Sequence, residues 1–121
     1  HVNFNCRLSF VKVSSYNGME SGGNLLELIG VNEILDGKTV IILEDIIDSG
    51  HTLAHIVESL KSHKPAMIRL ASLLFKPGSF EYGYKIDYVG FKIPNDFVIG
   101  YGLDYDGFGR NLKDIYTVIE S

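Results

Sequence analysis

From Val40 to Thr52 the chain reads Val-Ile-Ile-Leu-Glu-Asp-Ile-Ile-Asp-Ser-Gly-His-Thr, and few folds accommodate that order. Val40 to Leu43 is an apolar run of strand length. Glu44 and Asp45 follow, then two isoleucines, then the polar turn Asp48-Ser49-Gly50-His51-Thr52. Directly beyond it, Leu53, Ile56, Val57 and Leu60 repeat at helical spacing. The sequence therefore predicts a strand, an acidic corner, a polar loop and a helix N-terminus. Such a corner suits a phosphate and a sugar, because the first helical N–H groups lack intrahelical partners and the helix dipole favours anions. Gly50 permits a tight turn, and Ser49 and Thr52 add donors. An ordinary helix cap by Asp48 or Ser49 explains the loop as well. It does not explain Glu44-Asp45, since adjacent carboxylates are costly to bury unless something binds them. Vicinal ribose hydroxyls or hydrated Mg²⁺ suit them; a solvated strand end is the plain alternative.

At 121 residues the chain is expected to be one domain, residues 1–121, large enough to bury a working core. Hydrophobic residues make up 45% and charged ones 21%, the balance of a folded globular chain. A net charge of −4 argues against a broad nucleic-acid surface. The single cysteine, Cys6, cannot form an internal disulfide and is read as structural, which points to a reducing compartment. No apolar run reaches membrane-span length and no leader pattern stands at the start, so a cytoplasmic protein is expected.

Leu8 to Val13 suits a strand, Ser14 to Asn24 a polar loop, and Leu25 to Ile29 the returning arm of a hairpin. Asp36-Gly37 turns the chain into a central strand over Lys38 to Leu43. The helix should run from Thr52 to about His63, stopping before Pro65. Met67 to Leu74 reads as a buried strand, broken by Lys76-Pro77-Gly78. Tyr88 to Phe91, Phe97 to Tyr101 and Tyr116 to Ile119 are further strands, and Leu103 to Asn111 is polar and glycine-rich. One helix cannot cover both faces of a buried parallel sheet. A partner surface, or an N-terminal part of the natural chain absent from this sequence, is expected on the second face.

The stretch from Val40 to Thr52 closely resembles the phosphoribosyl pyrophosphate signature of type I phosphoribosyltransferases. His51 departs mildly from it, since lysine is common there. Downstream, Gly83 to Pro94, Phe97 to Tyr105 and Arg110-Asn111-Leu112 resemble the hypoxanthine-guanine branch of that family, and Ser15-Tyr16 resembles its flexible catalytic loop. The resemblance covers nearly the whole chain. It implies an α/β fold with a mostly parallel sheet and a flexible hairpin loop, incomplete at the N-terminus. It also implies transfer of a phosphoribosyl group from 5-phosphoribosyl-1-pyrophosphate to hypoxanthine or guanine, with Mg²⁺ as cofactor. Neither nucleic acid nor membrane is implied as a partner; a homo-oligomer, dimer or tetramer, is.

Carried over by motif, Glu44 and Asp45 meet the ribose hydroxyls and the magnesium hydration shell. Asp48 is the candidate general base near purine N7; an aspartate of ordinary pKa near ~3.9 is a weak base, so proximity has to matter more than basicity. Ser49, Gly50, His51 and Thr52 match the 5′-phosphate loop. Lys85 matches the donor to the purine 6-oxo group, Phe97 the ring stacked on the base, and Val98 the main chain that reads the base edge. Asp104 matches an acid near a second magnesium, and Arg110 a guanidinium suited to bidentate pyrophosphate contact. Ser15 and Tyr16 close over the reacting centre. Without that context Lys85 is an ordinary solvated lysine and Phe97 an ordinary core ring.

Nothing in residues 1–13 resembles the family's upstream pyrophosphate loop, so this polypeptide alone is expected to be weakly active or inactive. His51 and His55 share helical ligand spacing but lack a third ligand. Asp104-Tyr105-Asp106-Gly107 lacks the remaining acids of a calcium loop. The rival functions are a nucleotide-sensing regulator without catalysis, an interaction module docking through its bare sheet face, and a xanthine-preferring transferase.

Overall fold

A computed structural model describes the backbone of residues 1–16, 24–29 and 32–119, and the side chains of residues 1–13 and 32–119. Its elements are β1 (Lys12–Tyr16), β2 (Asn24–Ile29), β3 (Thr39–Ile47), α1 (His51–Lys61), β4 (Met67–Phe75), β5 (Tyr88–Lys92), β6 (Val98–Ile99) and β7 (Tyr116–Thr117). The central sheet has the order β3-β4-β5 with both pairs parallel. β3 outlasts its apolar run because ladder pairing uses backbone groups and continues past the acids, with Glu44 opposite Ser72 and Ile47 opposite Phe75. The acidic pair thus lies within the strand rather than beyond its end.

α1 begins one residue before its expected start and ends two before its expected finish. Lys64, in a left-handed conformation at φ 53, turns the chain toward Pro65 and β4. The helix packs Leu53, Ile56, Val57 and Leu60 against Ile42 and Leu70 of the sheet, with Ile47 in the same cluster. Burying each of those leucines contributes about 1.5–3 kcal/mol. Strand alternation sends Ile41 and Leu43 the other way, where they are 54% and 78% exposed. One helix covers one face.

Parallel strands need a crossover, and between β4 and β5 it is not a helix. Residues 76–87 run along α1 instead, with Phe80, Tyr84 and Ile86 packed on the core cluster. Tyr82 stacks on Tyr84 at 6.0 Å between ring centroids, and Phe80 meets Phe75 edge-on at 5.4 Å. The Tyr84 hydroxyl donates to Glu58 Oε1 at 3.2 Å, tying the segment to the third turn of the helix. Asp87 closes the crossover by accepting the Leu70 N–H (2.9 Å) and pairing with Arg69 (2.8 Å). β5 then lies so close to β4 that a Cβ on Gly90 would sit 2.6 Å from the Leu73 carbonyl oxygen.

The first hairpin forms as expected from β1 and β2, antiparallel, but in a different register along the sequence. Pairing begins at Lys12 opposite Ile29 and reaches Tyr16 opposite Asn24. Residues 8–11 have no ladder partner among the described residues, and Leu8 and Phe10 are exposed. The tip of the expected loop, residues 17–23, lies outside the described residues. β6 is shorter than the expected Phe97–Tyr101 strand, because Gly100 (φ 97) and Tyr101 (φ 55) turn left-handed. It pairs with β7 in a separate antiparallel ribbon. No helix among the described residues is long and apolar enough to cross a membrane.

Candidate active site

The loop between β3 and α1 starts its helix on glycine. Gly50 is the N-cap, left-handed at φ 90 and ψ 3, and no side chain caps the helix. The cap reading of Asp48 or Ser49 therefore fails. The first helical hydrogen bond runs from the Ala54 N–H to the Gly50 carbonyl (2.8 Å), so the N–H groups of His51, Thr52 and Leu53 precede the helical ladder. Glu44, Ile46, Ile47 and the run Asp48 to Leu53 line a cleft around this helix start. It sits at the carboxyl end of a parallel strand, where open α/β sheets place their ligands.

The crossover after β4 builds the back of the loop. The Lys76 N–H donates to the Ile47 carbonyl (2.9 Å), the Glu81 N–H to the Ser49 carbonyl (3.0 Å), and the Ser79 N–H to the Lys76 carbonyl (3.2 Å). His51 Nδ1 lies 2.8 Å from the Tyr82 hydroxyl and its Nε2 lies 3.4 Å from Glu81. Gly50 fits beneath the rings of Phe80 and Tyr82, which a Cβ there would strike.

Three carboxylates stand in three environments. Glu44 is half-buried, and its pKa is raised first by burial and then by the adjacent charge of Asp45. Asp45 is exposed, lies outside the cleft lining, and accepts the Ile46 N–H at 2.7 Å. The pKa of Asp48 is lowered, first by its hydrogen bond from Lys76 at 2.7 Å, with nearby Ser79 a smaller influence in the same direction. Its side chain is 51% exposed, whereas that of Lys76 is 6% exposed.

A hard cation fits the donor chemistry at Glu44, where two neighbouring oxyanions oppose each other's charge. Among the described residues no three His, Cys, Asp or Glu side chains converge as a complete metal cage. An ion there would share its shell with water and substrate oxygens.

Glu44, Asp48, Ser49, Gly50, His51 and Thr52 are thus brought into one cleft, whereas Lys85, Phe97, Val98, Asp104 and Arg110 lie outside its lining. Lys85 is exposed on the crossover between Tyr84 and Ile86. Phe97 is 49% exposed and meets Tyr105 edge-on at 5.4 Å. Val98 is held in β6 opposite Thr117. Asp104 and Arg110 are paired with each other at 2.7 Å, and Arg110 also donates to the Gly102 carbonyl (2.8 Å). Ser15 and Tyr16 end β1, opposite Leu25 and Asn24, and their side chains lie outside the described residues. In the sequence Lys76 stands out only as part of a strand break. Its position two residues past Leu74 continues the buried parity of Leu70, Ser72 and Leu74.

Comparison with known proteins agrees with this architecture. Residues 2–106 match the phosphoribosyl transferase domain family. The hypoxanthine-guanine phosphoribosyltransferase of Bos taurus is 41% identical over 116 residues, covering 94% of this chain and 53% of that protein. The bifunctional protein TilS/HprT of Listeria innocua is 45% identical over 90 residues, 74% of this chain and 14% of that one. Among solved structures, a Bacillus anthracis hypoxanthine-guanine phosphoribosyltransferase superposes with a TM-score of 0.82 at 40% identity, covering 91% of this chain and 65% of that one. A Trypanosoma cruzi hypoxanthine phosphoribosyltransferase complexed with the product IMP gives 0.84 at 38%, covering 93% and 57%. The chain spans about half the length of the bovine relative. With its parallel sheet, glycine-capped helix and acidic pair within β3, the chain belongs to the phosphoribosyl transferase domain family.

Proposed function

We propose that this chain supplies the phosphate- and ribose-gripping part of a purine salvage phosphoribosyltransferase. The whole protein joins hypoxanthine or guanine to 5-phosphoribosyl-1-pyrophosphate, giving the nucleoside 5′-monophosphate and pyrophosphate. The observation that carries this reading is the cleft in which Glu44 and Asp48 flank a helix start capped by Gly50 rather than by a side chain. The exposed N–H groups and the hydroxyls of Ser49 and Thr52 receive the 5′-phosphate, with His51 at the rim. Glu44 and Asp45 serve the ribose hydroxyls and the hydration shell of Mg²⁺, and Asp104 a second ion. When bound, Mg²⁺ supplies charge neutralisation to the departing pyrophosphate.

The bond from C1 to pyrophosphate breaks through an oxocarbenium-like state, and N9 of the purine attacks C1. Asp48 takes the proton from N7, leaving its electron pair on the ring. Lys85 donates to the 6-oxo group, Phe97 stacks on the base, the Val98 main chain reads its edge, and Arg110 meets pyrophosphate. Ser15 and Tyr16 exclude water from the centre. Residues 1–121 act as one domain, in a cytoplasmic homo-oligomer of two or four copies.

The test is magnesium-dependent nucleotide formation by the full-length protein. Asp48→Asn should cut turnover steeply. Turnover kept within about twofold removes Asp48 from the chemistry.

A further inference from the structure

Lys76 is 5% exposed, at a position that continues the buried side of β4, and its ammonium lies 2.7 Å from Asp48 Oδ2. We propose that Lys76 is a positioning residue for the transfer reaction: its buried ammonium clamps Asp48 Oδ2 and leaves Oδ1 to accept the purine proton. This rests on the reading of the site as a purine transferase centre.

Charge at rest is not what the pair supplies. An unperturbed aspartate, with a pKa near ~3.9, is ionised at neutral pH without help. Orientation is a different matter. Asp48 stands half-exposed at the end of β3, where a free carboxylate samples several rotamers. A proton acceptor contributes only while it is held within hydrogen-bond reach of the donor. The clamp is built on backbone: the Lys76 N–H is fixed on the Ile47 carbonyl, and the Ser79 N–H closes the turn on the Lys76 carbonyl.

Burying a lysine is expensive unless its charge is paired and hydrogen-bonded. For stability alone, an apolar residue continuing the Leu70, Ser72, Leu74 face would cost less. The ammonium also has a use that appears only on ligand binding. A base filling the cleft strips water from Asp48, which makes its charge harder to carry. The dry ammonium offsets that loss, because the attraction strengthens as water leaves. The other charged groups around the cleft are Glu44 on β3 and His51 at the start of α1, with Glu81 beside His51. Neither acid can replace the ammonium.

The experiment uses the full-length protein and steady-state kinetics for both substrates. Lys76→Met keeps the length and removes the charge; kcat should fall about tenfold or more, while KM for the pyrophosphate donor stays within about twofold. Lys76→Arg keeps the charge but shifts the donor off its 2.7 Å contact and should lower kcat about threefold, which keeps the idea testable if Lys76→Met does not fold. In an Asp48→Asn background neither change should lower kcat further, because both act through the missing carboxylate. A merely structural lysine predicts losses that multiply in that background, and multiplying losses overturn the proposal. So does unchanged kcat in both single variants of an active parent. A full-length protein with no nucleotide formation overturns the functional reading itself, and the two failures are thereby told apart.

Discussion

Replacing Gly50 with alanine tests whether the loop between β3 and α1 is shaped by its own sequence or by the aromatic crossover above it. At φ 90 an alanine pays a left-handed backbone cost of about 1–2 kcal/mol. Its Cβ also has no room: Phe80 Cδ2 would lie 2.8 Å away and Tyr82 Cδ2 3.1 Å. Phe80 cannot simply swing clear, since it is set edge-on against Phe75 at 5.4 Å and tilted against Tyr82 at 6.3 Å. Overpacking of this kind costs about 1–3 kcal/mol, so the total loss should be about 2–5 kcal/mol.

Gly37 provides the control. It is also left-handed, at φ 69, but a Cβ there meets nothing within 4 Å. Gly37→Ala should lose only the backbone part, about 1–2 kcal/mol. Urea unfolding of the full-length protein, read as midpoint shifts at unchanged m, gives both numbers. Phe80→Ala should bring the additional cost of Gly50→Ala most of the way down to that of Gly37→Ala, since the nearer ring is gone and only Tyr82 at 3.1 Å remains. If the two glycine variants lose equal stability in the parent, the claim that Phe80 and Tyr82 brace the loop is refuted.

Leu53→Ala, at a side chain 2% exposed in the first turn of α1, should cost about 2–5 kcal/mol in the same assay; a loss below about 1 kcal/mol would show that the site collapses onto the gap. Asp87 has a lowered pKa, caused first by the Leu70 N–H and then by Arg69. Its contribution to stability is therefore present above the ordinary carboxylate pKa and lost as pH falls through the folded value, so Asp87→Asn should flatten the acid limb of an unfolding-midpoint profile. Asp104→Asn releases Arg110 from a partly exposed ion pair of the kind worth about 0.2–1 kcal/mol. Calorimetry without Mg²⁺ should then show pyrophosphate binding to the full-length protein tightened by up to about fivefold, and weakened binding there would contradict the freed-arginine account.

The elements that were legible in the sequence are those whose signal is local. Leu53, Ile56, Val57 and Leu60 announce α1 by spacing, and the apolar run from Val40 announces β3. Boundaries were less legible because partners set them. β3 extends through Glu44 and Asp45 since β4 continues beside it, and β1 begins at Lys12 since β2 pairs with it only from there. The crossover from Lys76 to Asp87 carries a weaker, ambiguous signal. Phe80, Tyr82, Tyr84 and Ile86 alternate with polar residues, yet the segment joins no ladder; its apolar side chains lie on α1 and the core.

That crossover also explains why the motif alone underspecifies the site. A glycine-rich loop can adopt many conformations, and its sequence says only that a left-handed one is permitted. The selection is made some thirty residues downstream, where Lys76 grips the Asp48 carboxylate, Glu81 holds the Ser49 carbonyl and Tyr82 meets His51. Each contact links the β3–α1 loop to the chain just after β4, and parallel pairing of β3 with β4 delivers those two segments to the same end of the sheet. Because the Lys76 N–H braces Ile47 while its ammonium meets Asp48, the turn that shapes the loop is also the one that holds the acid. Loosening the backbone of that turn should therefore disturb the whole loop, whereas Lys76→Met, which leaves the N–H on the Ile47 carbonyl in place, should reach the Asp48 carboxylate alone.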